Sequence, residues 1–217
     1  MSDLRGKTAL VTGGGSGIGA ACARSLAERG AAVTVADIDD VAAKSVADEI
    51  GGTAWAVDLL DVAALEHLQL DVDVLVNNAG IQSINRIEEF EPAMFRKLLA
   101  LMVEVPFLLV RAALPHMYRA GFGRVINISS VHGLRASEFK VAYVTAKHGL
   151  EGLSKVTALE GGTRGVTSNC VNPGYVRTPL VTKQIADQAR THDIGEDEVL
   201  SKIMLTESAI KRLVEPE

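Results

Sequence analysis

The chain is poor in the residues that mark several common kinds of function. Its 217 residues include only two cysteines, Cys22 and Cys170, far apart, in no C-x-x-C pair and with no histidine spaced as a metal partner. This argues against a disulfide scaffold and against a metal site, and it predicts reduced core thiols in a cytoplasmic protein. Basic runs are missing, the net charge is −5 and the pI is about 5.6, so a nucleic-acid footprint is not expected. No apolar stretch reads as long enough to span a bilayer, and the N-terminal M-S-D-L-R-G-K-T has no apolar targeting core. Repeats, linkers and low-complexity tracts are lacking too. Aromatic residues make up 4% of the chain, with three tyrosines, so a tyrosine in a patterned position calls for an explanation.

What is present is a regular alternation. Apolar runs at Thr8–Thr12, Ala32–Ala36, Thr53–Val57, Val72–Val76, Arg124–Ser129 and Val166–Val171 read as buried strands. Helical patterns stand between them: from the glycine-rich turn to Arg29, over 41–50, over 62–70, from Pro92 to about Arg119, and over Val141–Glu160. Pro106 and Pro115 are expected to kink or break the fourth, since each removes a backbone donor. Strands rich in Val, Ile and Ala with crossover helices predict one α/β domain, a doubly wound parallel sheet in three layers. Ligands bind beyond the carboxyl ends of such strands. Here those ends carry T-G-G-G-S-G-I-G, V-A-D-I-D, A-V-D-L, N-N-A-G, N-I-S-S and N-P-G.

The first of these, from Thr12, follows a strand and opens a helix. Glycine lets a backbone approach a pyrophosphate, and a helix N-terminus offers N–H groups and positive potential. Asp37, eighteen residues past Gly19, ends the second strand, where a carboxylate accepts from ribose hydroxyls and repels a 2′-phosphate. With no Arg or Lys in the loop or directly after Asp37, the pattern predicts NAD over NADP. Asp58 ends the third strand, where it meets an adenine or caps a helix. Tyr143 and Lys147 stand one helical turn apart, a spacing that sets an ammonium beside a phenol and favours the phenolate.

The T-G-x-x-x-G-x-G loop, N-N-A-G, a serine before Y-x-x-x-K, and N-P-G, in this order from Thr12 to Thr178, resemble the short-chain dehydrogenase/reductase family. Over the second half, N-N-A-G-I-Q, N-I-S-S-V-H-G-L, K-V-A-Y-V-T-A-K-H-G, K-V-T-A-L-E and N-P-G-Y-V-R-T-P-L-V-T-K-Q-I are similar to its bacterial D-3-hydroxybutyrate dehydrogenases. The resemblance implies Ser130, Tyr143 and Lys147 as the catalytic set. It implies cofactor contacts from Gly13, Ser16, Gly17, Ile18 and Gly19 at the phosphates, Asp37 at the ribose and Asp58 at the adenine. Asn78, Ala79 and Gly80 would line the floor, and Pro173, Gly174 and Thr178 would lie near the nicotinamide. Gln82, His132, Lys140 and Gln184 would hold a substrate carboxylate, with Tyr175 as an aromatic wall. Taken singly, His132 also reads as a structural histidine and Lys140 as a solvated lysine. Residues 178–205 would form a lid.

The implied protein is a homotetrameric NAD-dependent enzyme interconverting (R)-3-hydroxybutyrate and acetoacetate. A 3-oxoacyl-thioester reductase and a catalytically idle dinucleotide-binding sensor or scaffold are the alternatives. Three features depart from the family pattern. Met102 stands where many members carry an asparagine, which predicts a weakened proton relay. The stretch between Asp58 and Asp73 is short. The final helix and strand of relatives do not follow Glu217.

Overall fold

The computed structural model describes residues 3–217. Side chains alternating across each strand explain why the strands need helices on both sides. In β1 (Thr8–Thr12), Ala9 and Val11 enter one apolar cluster while Leu10 enters the other. In β4 (Val74–Asn77), Val74 and Val76 part from Leu75 in the same way. Strands buried on both faces favour an all-parallel sheet. The remaining strands are β2 (Ala32–Asp37), β3 (Thr53–Ala56), β5 (Gly123–Ile128) and β6 (Val166–Val171). They pair in parallel in the order β3-β2-β1-β4-β5-β6. The order reverses between β1 and β4, and that crevice is where a doubly wound sheet binds its ligand.

One face is covered by α1 (Gly17–Glu28) and α2 (Asp40–Ile50). The other carries α3 (Val62–Leu65), then α4 (Pro92–Leu99) and α5 (Val105–Ala120), and α6 (Val141–Gly161). Beyond β6, α7 (Pro179–His192) and α8 (Glu196–Val199) close a small core of their own, in which Val181, Ala189, Val199, Met204, Leu205 and Leu213 meet. The predicted lid is thus two helices with a hydrophobic interior. A parallel bridge between Val176, before α7, and Val214, after α8, joins the two ends of the segment.

Several sequence expectations need correction. The helix foreseen over 62–70 is one turn, Val62–Leu65. Pro106 does not break its helix: a π-helical turn at Ala100–Glu104 joins α4 to α5, with the Val105 N–H reaching back to Ala100, and this widened turn absorbs the donor that Pro106 lacks. Pro115 lies inside α5, which runs on to Gly121 in a left-handed conformation at φ 61°. The continuous 29-residue helix Pro92–Ala120 is long and apolar enough, by length and composition, to cross a membrane. That overturns the expectation of no such stretch. Leu98, Met102, Leu108, Leu109 and Met117 are nevertheless buried in the core, so the apolarity serves packing. Cys22 and Cys170 are free and half-buried.

Candidate active site

Two adjoining cavities lie at the carboxyl ends of the strands. The larger, about 330 Å³, is lined by Gly13, Ser16, Gly17, Ile18, Asp37, Asp58, Asn78, Ala79, Gly80 and Thr178 among others. Its form follows from local chemistry. Gly13 and Gly17 have φ of 60° and 52°, which glycine adopts without the steric cost of a side chain. The Asn78 amide donates to the carbonyls of Thr12 and Gly13 at 2.9 and 3.0 Å, and the Thr12 hydroxyl accepts from the N–H groups of Asn78 and Ala79. N-N-A-G therefore clamps the glycine turn as well as lining the floor. Gly19 lines nothing: it is buried where a Cβ would come within 2.1 Å of the Gly13 carbonyl, so it seats α1 against the strand.

The N-terminus of α1 has no side-chain cap and no acidic residue in its first turn, whereas Asp39, Asp61 and Thr178 cap α2, α3 and α7. Its first N–H groups are left for a ligand, and the local field suits an anion. Asp37 accepts from the Gly15 N–H at 2.9 Å and from the Asp39 N–H at 3.1 Å. Asp58 accepts from Leu60 N–H at 2.9 Å in a local turn, and the cap of α3 is Asp61 instead. A glycine cradle, a free helix N-terminus and a carboxylate at the end of β2 fit a dinucleotide.

The smaller cavity, about 100 Å³, shares Ile18, Asn78, Gly80, Thr178 and Leu180 with the first. Into it come Ser130 from the end of β5, Tyr143 and Lys147 from α6, Pro173, Gly174 and Tyr175 from the loop after β6, and Gln184 from α7, with Gln82, His132 and Lys140. Every substrate-side residue expected from the sequence is gathered here, from positions as far apart as 82 and 184. The Ser130 hydroxyl and the Tyr143 phenol line the same cavity. Lys147 is buried and donates to the Ile128 carbonyl at 2.6 Å, with its ammonium 5.5 Å from the centre of the Tyr143 ring. Burial pushes the Tyr143 phenol above its usual range, and the nearby Ser130 hydroxyl only partly offsets this. The expected phenolate is therefore not favoured by Lys147 alone, since burial lowers that lysine to about 8.

Lys140 has no carboxylate partner among the described ion pairs, although only 2% of it is exposed. It donates instead to the Tyr175 hydroxyl at 2.9 Å and faces that ring at 5.1 Å, and burial brings it down to about 8. The solvated reading of Lys140 fails. His132 is buried, 3.4 Å from the Ser130 hydroxyl through Nδ1 and 2.7 Å from the Ser137 hydroxyl through Nε2. Burial, and secondarily Lys140, lower it to about 4, so it is neutral. Both ring nitrogens are engaged, which places it beside Ser130 instead of offering a spare N–H. The Gln184 amide nitrogen donates to Leu180 in its own helix, and Gln82 accepts from the Ser83 N–H. Met102 is buried with Phe90, Leu98, Ala142 and Ala146 beneath α6, and it supplies apolar packing where the family asparagine would be polar.

Sequence reasoning missed two supporting residues. Asn172 donates to the Ser130 carbonyl at 2.9 Å and to Glu151 at 2.6 Å. Asn172 sits inside N-P-G, and Glu151 extends the Tyr143–Lys147 spacing by one more turn.

Comparison with known proteins agrees with this geometry. The short chain dehydrogenase family model matches residues 7–189. The chain is 42% identical over 224 residues to the D-beta-hydroxybutyrate dehydrogenase of Rhizobium meliloti, covering 96% of this chain and 86% of that protein. It is 40% identical over 226 residues to the Cupriavidus necator protein of the same name, covering 99% and 88%. A solved structure from Beutenbergia cavernae, assigned as an NAD(P) dependent gluconate 5-dehydrogenase and holding NADP, superposes with a TM-score of 0.85 at 35% identity, over 99% of this chain and 86% of that one. A hydride-transfer constellation in the crevice of a 3-2-1-4-5-6 sheet, matched over most of the chain, makes this protein a member of the short-chain dehydrogenase family, an oxidoreductase of the kind that uses NAD or NADP.

Proposed function

We propose that the protein is an NAD-dependent dehydrogenase interconverting (R)-3-hydroxybutyrate and acetoacetate. One observation carries the substrate: a buried ammonium, Lys140, whose hydrogen-bond partner among the described residues is a neutral phenol, beside the residues suited to alcohol chemistry. A buried charge with no counter-ion is costly, and a substrate carboxylate would complete it. A cavity of about 100 Å³ favours a small acid. The names of the similar hydroxybutyrate dehydrogenases support the same choice.

In this reading Lys140 takes the carboxylate, with Gln82 and Gln184 beside it and Tyr175 as a wall, so the carbinol lies at Tyr143. Tyr143 accepts the hydroxyl proton as the C–H hydrogen leaves as hydride and the carbonyl forms. Ser130 donates to the oxygen on which negative charge develops. The dinucleotide, when bound, supplies the hydride acceptor and a positive ring that favours the Tyr143 phenolate. Lys147 adds its charge from one turn away. In reverse, Tyr143 returns the proton. Asp37 supports NAD, since a 2′-phosphate would meet its charge, although Lys97 also borders the cavity.

The test is purified protein with NAD and (R)-3-hydroxybutyrate, following reduced nicotinamide by absorbance. Turnover with this acid, and far less with a neutral alcohol of equal size, is expected. Activity confined to acyl thioesters with NADPH would overturn the reading. Dinucleotide binding with no turnover of any alcohol would instead make the protein an idle binder.

A further inference from the structure

The reading above leaves Glu151 and Asn172 without a role, yet three elements converge on them. Glu151 lies on α6 one turn beyond Lys147, as Lys147 lies one turn beyond Tyr143, so the three share a helix face. Asn172 lies just past β6. Its single amide nitrogen spends both hydrogens, one on Glu151 at 2.6 Å and one on the main-chain carbonyl of Ser130 at 2.9 Å. The Ser130 carbonyl also accepts from the Gly133 N–H at 2.8 Å, and the Val131 N–H donates to Pro173 at 3.0 Å. The turn bearing Ser130 is therefore tied to the loop after β6 by its own backbone. Gly133 shows how closely Glu151 is approached: a Cβ there would come within 3.0 Å of the Glu151 carboxylate and 2.5 Å of the Ser129 hydroxyl.

We propose that Glu151 and Asn172 are a positioning pair for the dehydrogenase reaction: the carboxylate holds the Asn172 amide against the Ser130 main chain and sets a negative charge one helical turn from buried Lys147. This rests on the reading that Ser130, Tyr143 and Lys147 are the reacting set. The groups facing Lys147 are Tyr143 and Glu151 on its own helix, the Ile128 carbonyl at the end of β5, and Cys170 on β6. Burial disfavours its ammonium, while Cys170 and Glu151 favour it. Burial raises the Cys170 thiol to about 11, so it carries no charge at neutral pH. Glu151 accepts from the Asn172 amide and has Lys155 one turn further along α6; burial opposes its charge, but hydrogen bonding and Lys155 keep it below the usual carboxylate range. The carboxylate is thus the charged neighbour at working pH.

The pair separates into two effects. Glu151→Gln keeps an oxygen to accept from Asn172 and removes only the charge. Asn172→Ala removes the clamp and leaves the charge. In isotope-labelled protein without ligand, the NMR titration of the Lys147 ε-group, assigned with Lys147→Met, should move to lower pH by about one unit in Glu151→Gln and stay in place in Asn172→Ala. Glu151→Asp should restore most of the midpoint. With NAD and (R)-3-hydroxybutyrate, Asn172→Ala should lower kcat about tenfold or more through loss of Ser130 placement. The alkaline limb of the Glu151→Gln pH profile should follow its NMR midpoint. An unchanged Lys147 midpoint in both Glu151→Gln and Glu151→Asp, or an Asn172→Ala enzyme with wild-type kcat, would overturn the proposal. Because the titration needs no substrate, failure of the hydroxybutyrate assay would leave this result separately readable.

Discussion

The two cavities share a wall and have opposite electrostatic character. The larger presents the carboxylates of Asp37 and Asp58 and an uncapped helix N-terminus; the smaller holds the buried ammonium groups of Lys140 and Lys147 and a neutral histidine. Carboxylates at one end suit sugar hydroxyls, and the helix end suits phosphate. At the other end the Lys140 ammonium, held by a phenol, suits a carboxylate, and the surroundings of Lys147 suit a developing alkoxide. Thus one crevice is divided into a half shaped by backbone and glycine geometry and a half marked by buried charge. The first tolerates little change of shape, the second little change of charge.

The largest expected effect lies where the halves meet. Tyr143→Phe should lower kcat by about 10³-fold, within the range that proton transfer by a positioned side chain supplies, while dinucleotide binding followed by nicotinamide fluorescence stays near wild type. Loss of both together would mean that the two halves are not separable.

Next comes the charge of the smaller cavity. Lys140→Ala should raise KM for hydroxybutyrate by about 10- to 100-fold, the worth of a hydrogen bond to a charged group, with a smaller change in kcat. Its pH dependence sharpens the point. Burial brings Lys140 from 10.5 to about 8, so the ammonium is lost as pH rises through that value, and KM should climb above about pH 8. Lys140→Arg, charged at every working pH, should flatten the climb. A wild-type KM indifferent to pH from 7 to 9.5 would take Lys140 out of carboxylate binding.

A smaller effect is expected from the other half. Asp37→Asn keeps an acceptor for the Gly15 N–H but removes the charge, so the ratio of Kd values for NADP and NAD should fall about tenfold. The smallest concerns stability. His132 is lowered from 6.5 to about 4 by burial and by Lys140, so the unfolded chain binds the proton first. Its contribution is therefore fully present above pH 6.5 and is lost as pH falls towards about 4. A His132→Gln variant should show a shallower acid decline of Tm than the wild type.

How far these features could be read in advance differs between the halves. Gly13, Gly17 and Asp37 answer to backbone conformation and spacing, and their placement in the crevice follows from a strand, a turn and a helix that are local in the chain. The strands were legible to within a residue or two for the same reason. The helix around Pro106 was misjudged because a local rule about one missing donor cannot foresee a π-helical turn that absorbs it. Met102 was visible as a departure, but its place in an apolar cluster under α6 depends on what packs around it.

The sequence alone thus determined the parallel sheet and the glycine turn, because propensity and alternation act over short stretches of chain, and its family resemblance pointed to Ser130, Tyr143 and Lys147 as the candidate set. Only the tertiary structure decided that Lys140 is a buried ammonium facing a phenol, that both nitrogens of His132 are occupied, and that Asn172 joins Glu151 to the backbone of Ser130. Burial and partnership belong to residues brought together from distant parts of the chain. A charge takes its meaning from the solvent and counter-ions it has lost, and neither is written beside it in the sequence.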